Sequence, residues 1–255
     1  MNTAANQGVK EYWEQAPCGT GQTVTGESTA ATREYFERIE DYRYQVEPFI
    51  HSVAQFTRHH GKEMLEIGVG AGTDHLQWAR AGLHCHGVDL TDAAVAMTRE
   101  RLALYGLSSD LRRADAEHLP FPDASFDLVY SWGVIHHSEH PELIVKEIHR
   151  VLRPGGMFVG MLYGRYSLKV LKTWLWFAAL RGRPWMTFRQ VLDRFVESPG
   201  TKAYTVYECK TLFGDFQQVR TQRHLTIYDT RMLPRWFTRF LPDDWGWFIS
   251  IHAIK

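Results

Sequence analysis

From residue 63 onward, short apolar runs alternate with segments whose apolar positions recur every three or four residues. The runs are EMLEI, HCHGVDL, SDLRRADA, FDLVYSW and MFVGMLY. Between them lie HLQWARAG, TDAAVAMTRERLALYG and PELIVKEIHRVLRPGG. Period-two runs broken by period-3.6 segments predict βαβ units, hence a parallel sheet with right-handed crossovers. Ligands of such sheets bind at the carboxyl ends of the strands. Thr91 is placed to cap its helix and Gly106 to end it, while Gly155 and Gly156 are expected to end the later helix.

The flanks read differently. Residues 28–56 carry a helical pattern, with Ser28 as N-cap and a second helix starting near Pro48. Residues 163–198 predict two helices inserted before the last strands. Residues 213–228 predict a sixth strand, 229–242 a short helix, and 245–255 a final strand. The predicted organisation is an N-terminal helical cap segment (1–60), a ligand-binding core (61–165), a helical lid (166–203) and closing strands (204–255).

The turn after the first strand, LEIGVGAGTDHL, has glycine at every second position: Gly68, Gly70 and Gly72. A strand-to-helix turn of this kind lets the backbone approach a ligand where side chains would block it. The dinucleotide fingerprint wants G-x-G-x-x-G. Here Thr73 stands in the place of the third glycine, and Glu66 would meet a pyrophosphate with a negative charge. A ligand with a cationic head suits the site better. A plain tight turn is the bland alternative.

Composition removes several classes. The chain has 255 residues, with 29 basic and 29 acidic side chains and a formal net charge of zero. Nucleic-acid binding rests on excess Lys and Arg, so no nucleic-acid partner is expected. Cys18, Cys85 and Cys209 are sparse and odd in number, which gives neither a disulfide framework nor zinc spacing. The start, MNTAANQGVKEYWEQ, lacks an apolar core, so no signal peptide is predicted and a cytoplasmic location is expected. LKVLKTWLWFAAL (168–180) is too short to span a bilayer. It reads as a lid helix packed on the core, with a membrane-surface helix as the alternative.

Four motifs in register resemble the class I S-adenosylmethionine (SAM)-dependent methyltransferases: LEIGVGAGT, GVDLT (87–91), ADAEHLPFPDASFDLVYS (114–131) and VLRPGG (151–156). The likeness is best to the type 11 small-molecule branch that contains the ubiquinone/menaquinone C-methyltransferases, and covers roughly residues 60–165. It implies an α/β fold, a Rossmann-like doubly wound sheet of seven strands with the last antiparallel. It implies SAM as cofactor, S-adenosylhomocysteine as product, and a small-molecule acceptor. Implied cofactor contacts are Glu66, Gly68, Val69, Gly70, Gly72, Thr73, Asp89, Leu90, Asp115, Ala116 and Ser131. Asp89 would take the ribose hydroxyls, Asp115 the adenine amino group, and Glu66 the methionine ammonium.

Methyl transfer needs alignment and exclusion of water more than it needs a base. WGVIHHSEHP places His136 and His137 after the fourth strand as candidate proton acceptors. Shaping of the turn is the alternative. His136, His137, Glu139 and His140 do not read as a metal site, because neighbouring side chains point apart. Aromatic side chains suit a flat or greasy acceptor. Tyr12, Tyr35, Tyr44, Tyr163, Arg165 and Trp174 are the candidate acceptor contacts. An RNA or protein methyltransferase on the same core, an NAD enzyme, and a non-catalytic nucleotide-binding protein remain as alternatives.

Overall fold

The computed structural model describes residues 4–15, 20–26, 32–195, 200–231 and 233–255. Seven strands form one sheet in the order β3-β2-β1-β4-β5-β7-β6. They are β1 (Glu63–Ile67), β2 (His84–Asp89), β3 (Asp110–Arg113), β4 (Phe126–Trp132), β5 (Leu152–Tyr163), β6 (Gln218–His224) and β7 (Phe248–Ile254). The first five pair in parallel, and β7 runs antiparallel between β5 and β6. The expected topology is therefore present, including the reversed last strand. The chain reverses direction outward from β1, so the carboxyl ends of β1, β2 and β4 open a crevice at the switch point.

The helices are α1 (Ala4–Gln15), α2 (Gln22–Thr25), α3 (Arg33–Val46), α4 (Ile50–Ala54), α5 (Thr73–Arg80), α6 (Asp92–Leu104), α7 (Pro141–Val151), α8 (Leu168–Phe177), α9 (Phe188–Phe195), α10 (Val206–Leu212), α11 (Ile227–Thr230) and α12 (Arg235–Thr238). Thr91 Oγ1 accepts from the Ala94 amide as the cap of α6, and Gly106 lies beyond its end in the left-handed region, φ 66°. α3 begins at Arg33 with Thr32 as its cap. The expected cap, Ser28, lies outside the described residues, as does Cys18. The helix before β5 ends at Val151, not at the glycine pair. Gly155 and Gly156 instead fall in the stretch of β5 where the pairing with β4 shifts, between Leu152 and Met157.

Two apolar layers hold the sheet. On one face Ile144, Ile148, Phe158 and Phe213 pack with Leu65 and Val129. On the other, Trp78, Tyr130, Val159 and Trp247 join Ile50 and Phe56. The N-terminal α3 is bolted to the core by charge. Arg101 of α6, fully buried, donates to Glu40 Oε2 (2.8 Å), the Phe36 and Ala71 carbonyls, and Thr73 Oγ1. Arg43 donates to Asp74 of α5 through two nitrogens, at 2.6 and 3.3 Å. Both terminal nitrogens of the buried Arg101 are thus paired, which offsets most of the cost of burying its charge.

Candidate active site

A cavity of about 440 Å³ runs across the carboxyl ends of β2, β1, β4 and β5 and is roofed by α1 and α3. Its size is that of a small-molecule site. At one end lie Asp89, Leu90, Asp115 and Ala116; in the middle Glu66, Gly68, Val69, Gly70 and Thr73; at the other end Trp132, His137, Tyr163, Tyr228 and Phe248.

The glycine turn has a definite geometry. Gly68, Gly70 and Gly72 have φ of 81°, 53° and 71°, a region that residues with a Cβ rarely adopt. Their surroundings differ. A Cβ on Gly68 would lie 2.2 Å from Val134 Cγ2, whereas one on Gly70 would meet nothing within 4 Å. Gly70 lines the cavity, so its missing side chain is room for a ligand. Gly72 does not line it; a Cβ there would press on Thr98 of α6 at 2.9 Å. That glycine, an expected cofactor contact, gives room for helix packing and lies outside the cavity lining.

Asp89 is oriented by three donors. Its Oδ1 accepts from the Thr91 amide (3.0 Å) and hydroxyl (2.8 Å), and its Oδ2 from the Gly70 amide (3.1 Å). Burial raises its pKa, and the hydrogen bonds from Thr91 and Gly70 oppose that rise. Oδ1 already accepts twice, so Oδ2 is the oxygen that keeps a lone pair for a ligand hydroxyl. Asp115 Oδ1 accepts from the Glu117 amide (3.0 Å).

Glu66 is buried at the end of β1, its Oε2 3.0 Å from Nδ1 of His75. Burial first, then the Asp74 charge, pushes its pKa well above the ordinary range. Asp74 also lines the cavity. It accepts from Arg43, Tyr44 (3.0 Å) and Tyr130 (2.8 Å). Burial would raise its pKa, but Arg43 and these hydrogen bonds outweigh it and hold the carboxyl below its usual value.

Ser131 is fully buried and does not line the cavity. Its Oγ donates to the Ile67 carbonyl (3.1 Å), tying β4 to β1. Ser131, an expected cofactor contact, thus lies outside the cavity lining, whereas Trp132, the next residue on the alternating strand, is in it. The chain just beyond β4 turns back into the cavity at Gly133 and Val134.

The histidine pair separates. His137 lines the cavity, while His136 is fully buried beside Tyr163, ring centroids 3.8 Å apart, and does not line it. Among the described residues, neither ring nitrogen of His136 has a hydrogen-bond partner. Burial, then His137, pulls His136 well below its usual pKa. Burial, then Lys202, pulls His137 down to about 4. Both rings are neutral near pH 7, and His137 Nδ1 lies 3.1 Å from Thr201 Oγ1.

Of the expected acceptor contacts, only Tyr163 lines the cavity. Tyr12 points outward at 43% exposure, and its neighbour Trp13 faces in, edge-on to His137 at 5.6 Å. Tyr35 packs with Phe36, Ile39 and Ala71. The Tyr44 hydroxyl is spent on Asp74. Arg165 holds the Ala203 carbonyl and Glu208. Trp174 Nε1 donates to the Met186 carbonyl within the lid.

Among the cavity residues outside the expected set are Trp13, Glu47, Asp74 and Trp132. Trp132 Nε1 donates to Glu47 Oε2 at 2.9 Å, both side chains buried. Helical spacing carries the missed signal. Val9 and Trp13 are four apart, and Ile39, Arg43, Val46 and Glu47 recur on one face of α3.

Residues 65–160 match the family model described as a methyltransferase domain. Over 100 residues the chain is 40% identical to the phthiotriol/phenolphthiotriol dimycocerosates methyltransferase of Mycobacterium tuberculosis, covering 38% of this chain and 36% of that protein. Over 113 residues it is 35% identical to phosphoethanolamine N-methyltransferase 2 of Caenorhabditis elegans, covering 41% and 24%. The chain spans at most about half the length of the curated relatives it matches.

Two solved structures share the fold. One is the Haemonchus contortus phosphoethanolamine N-methyltransferase 2 holding phosphomonomethylethanolamine and S-adenosylhomocysteine (TM-score 0.58, 19% identity, 80% of this chain and 51% of that one). The other is the cyclase SpnF (TM-score 0.59, 16% identity, 99% and 96%). The open face of Gly70, the oriented Asp89 carboxylate and the acid at Glu66 fit a nucleoside ligand with a cationic amino-acid arm. Residues 65–160 thus match a methyltransferase domain model, and the seven-stranded sheet around them has the fold of these solved structures.

Proposed function

We propose that the protein transfers a methyl group from SAM to a small, hydrophobic or aromatic acceptor, as a member of the small-molecule branch of these enzymes. The observation that carries the reading is the composition of this cavity. Its β2 end presents carboxylates and its β4–β5 end presents Trp13, Trp132, Tyr163 and Phe248.

Bound in this cavity, SAM would supply an electrophilic methyl on sulfur. In this reading Asp89 binds the ribose hydroxyls, Asp115 and the Ala116 amide the adenine edge, and Glu66 the ammonium. The aromatic end aligns the acceptor and excludes water. His137 is the one member of the histidine pair assigned contact with the acceptor. Its low pKa makes it a weak base, suited to an acceptor whose proton leaves easily, or to orienting an acceptor hydroxyl as a hydrogen-bond acceptor.

The test is a thermal-shift titration with SAM, S-adenosylhomocysteine and NAD. A ligand that binds only the native state raises Tm by mass action, about 2.7 kcal/mol at a hundredfold excess over Kd. Stabilisation by both sulfur nucleotides and not by NAD is expected. The fold is shared with a cyclase, so binding is followed by a labelled-methyl transfer assay over a panel of acceptors. Cofactor binding with no transfer to hydrophobic or aromatic acceptors would overturn the reading.

A further inference from the structure

We propose that the lid carries a docking surface for an anionic lipid bilayer, placed beside the acceptor end of the cavity. This deepens the hydrophobic-acceptor reading and rests on it.

Surface helices of water-soluble domains turn their apolar stripe inward and a charged face outward. α8 departs from this. Leu171, Leu175 and Trp176 are exposed, and the turn that follows exposes Leu180 (73%) and Trp185 (75%). The tip Arg181-Gly182-Arg183-Pro184-Trp185 is exposed throughout. It is shaped by Gly182 at φ 70° and by the Arg183 amide donating to the Ala178 carbonyl (2.9 Å). Trp174 Nε1 bonds the Met186 carbonyl beneath it, so the tip is a fixed projection.

Charge selects the occupant. Residues 165–192 contain six Lys or Arg and no Asp or Glu, in a chain of net charge zero. Aliphatic and indole side chains that project between cations match the interfacial region of an anionic membrane. Stacking on single-stranded nucleic acid would use aromatic platforms in a basic groove, not exposed leucines. The surface adjoins the site. Lys172 Nζ donates to the carbonyls of Tyr228 (3.2 Å) and Asp229 (2.6 Å), and Tyr228 lines the cavity. A lipid-soluble acceptor leaving the bilayer at α8 would meet the aromatic end first.

The experiment is vesicle co-flotation of the whole protein, without any acceptor, on phosphatidylcholine vesicles with and without added anionic phosphatidylglycerol. Preferential binding to the anionic vesicles is expected, weakened by salt. W176S/L180S/W185S and R181Q/R183Q should each lower vesicle affinity about tenfold or more. Both should leave S-adenosylhomocysteine stabilisation unchanged, since none of these residues lines the cavity. No binding to anionic vesicles, or binding that both variants leave intact, overturns the proposal. So does a surface that captures single-stranded RNA or a second copy of the chain in preference to vesicles. Failure of cofactor stabilisation would instead count against the methyltransferase reading, so the two are separable.

Discussion

Glu66 and His75 share a single proton across 3.0 Å at the floor of the cavity. The count follows from the third member of the chain. Ser109 Oγ donates to the Cys85 carbonyl at 2.7 Å. It must therefore accept from His75 Nε2, 2.9 Å away. Burial pulls His75 down to about 3, so the ring is neutral and its Nδ1 carries only a lone pair. Glu66, raised by burial, is then the donor.

Glu66→Gln is the direct probe. A raised carboxyl pKa favours the folded state only below the unfolded value near 4.3, and that stability is lost as pH rises toward the folded pKa. Gln keeps a donor toward Nδ1 and cannot ionise. The ligand-free variant is expected to melt at or above the wild-type temperature at pH 8. If Glu66 meets the ammonium of the cofactor, S-adenosylhomocysteine affinity should fall about 10- to 100-fold, the worth of a charged hydrogen bond. A variant less stable at pH 8 would contradict the shared-proton assignment. His75 acts in the opposite sense, with stability present above its unfolded value near 6.5 and lost as pH falls toward 3.

Asp74→Asn tests the bolt between α3 and α5. It leaves the Arg43 guanidinium without its carboxylate while keeping the side-chain shape. Breaking one side of a buried pair costs about 3 kcal/mol, which lowers Tm by about 10 °C in a chain of this size. Because Asp74 is held below its usual pKa, wild-type stability from this contact is present above the unfolded value and lost as pH falls through the folded one. The difference in Tm between wild type and variant should therefore shrink in acid. A difference that stays constant down to the acid limb would show that the charge pair is not what holds α3.

Asp89→Ala removes the acceptor for the Gly70 and Thr91 donors as well as the ribose contact proposed for it. Thr91→Val removes one of those donors and keeps the carboxylate. Calorimetry with S-adenosylhomocysteine should show at least a 100-fold loss for Asp89→Ala and a loss of about tenfold for Thr91→Val. Equal affinities in wild type and Asp89→Ala would move the cofactor elsewhere.

His137 and His136 should part in kinetics. His137→Asn is expected to lower kcat about tenfold or more on an acceptor that must lose a proton. His136→Asn puts an amide where no hydrogen-bond partner exists, so it should cost stability, about 2 kcal/mol, with kcat per folded molecule nearly unchanged. Burial and Lys202 set His137 at about 4. The rate should fall with an inflection near that value and none near 6.5. An inflection near 6.5 that His137→Asn abolishes would mean the ring is more solvated than its burial implies.

The order of strands and helices was legible because periodicity reports which residues face a core, and βαβ connections leave few topologies. The place of Gly70 and Asp89 in the cavity was legible for a related reason, since they sit where strands end and only backbone geometry decides their direction. Side-chain direction on the flanking helices was not. Tyr12 and Trp13 are adjacent in sequence but about 100° apart around the helix, and only Trp13 faces the cavity. Trp132 lines the cavity and Ser131, one step of strand alternation away, does not, while local carbonyls hold Arg165 and Trp174. The reach of a long side chain is settled by partners that are distant in sequence.

The two cavity-lining glycines of the turn separate folding from binding. Gly68→Ala places a methyl 2.2 Å from Val134 at a φ of 81°. Strain and overpacking together should cost about 3 kcal/mol, a fall in Tm of about 10 °C. Gly70→Ala carries a left-handed strain of about 1 kcal/mol but enters open space, so Tm without ligand should fall by only about 3 °C. Its methyl occupies the volume assigned to the cofactor. S-adenosylhomocysteine should stabilise Gly70→Ala far less than it stabilises wild type, while any Gly68→Ala that folds keeps most of its response. If Gly70→Ala binds as wild type does, the open face of that glycine is not where the ligand lies, and the alternating glycines serve the turn alone.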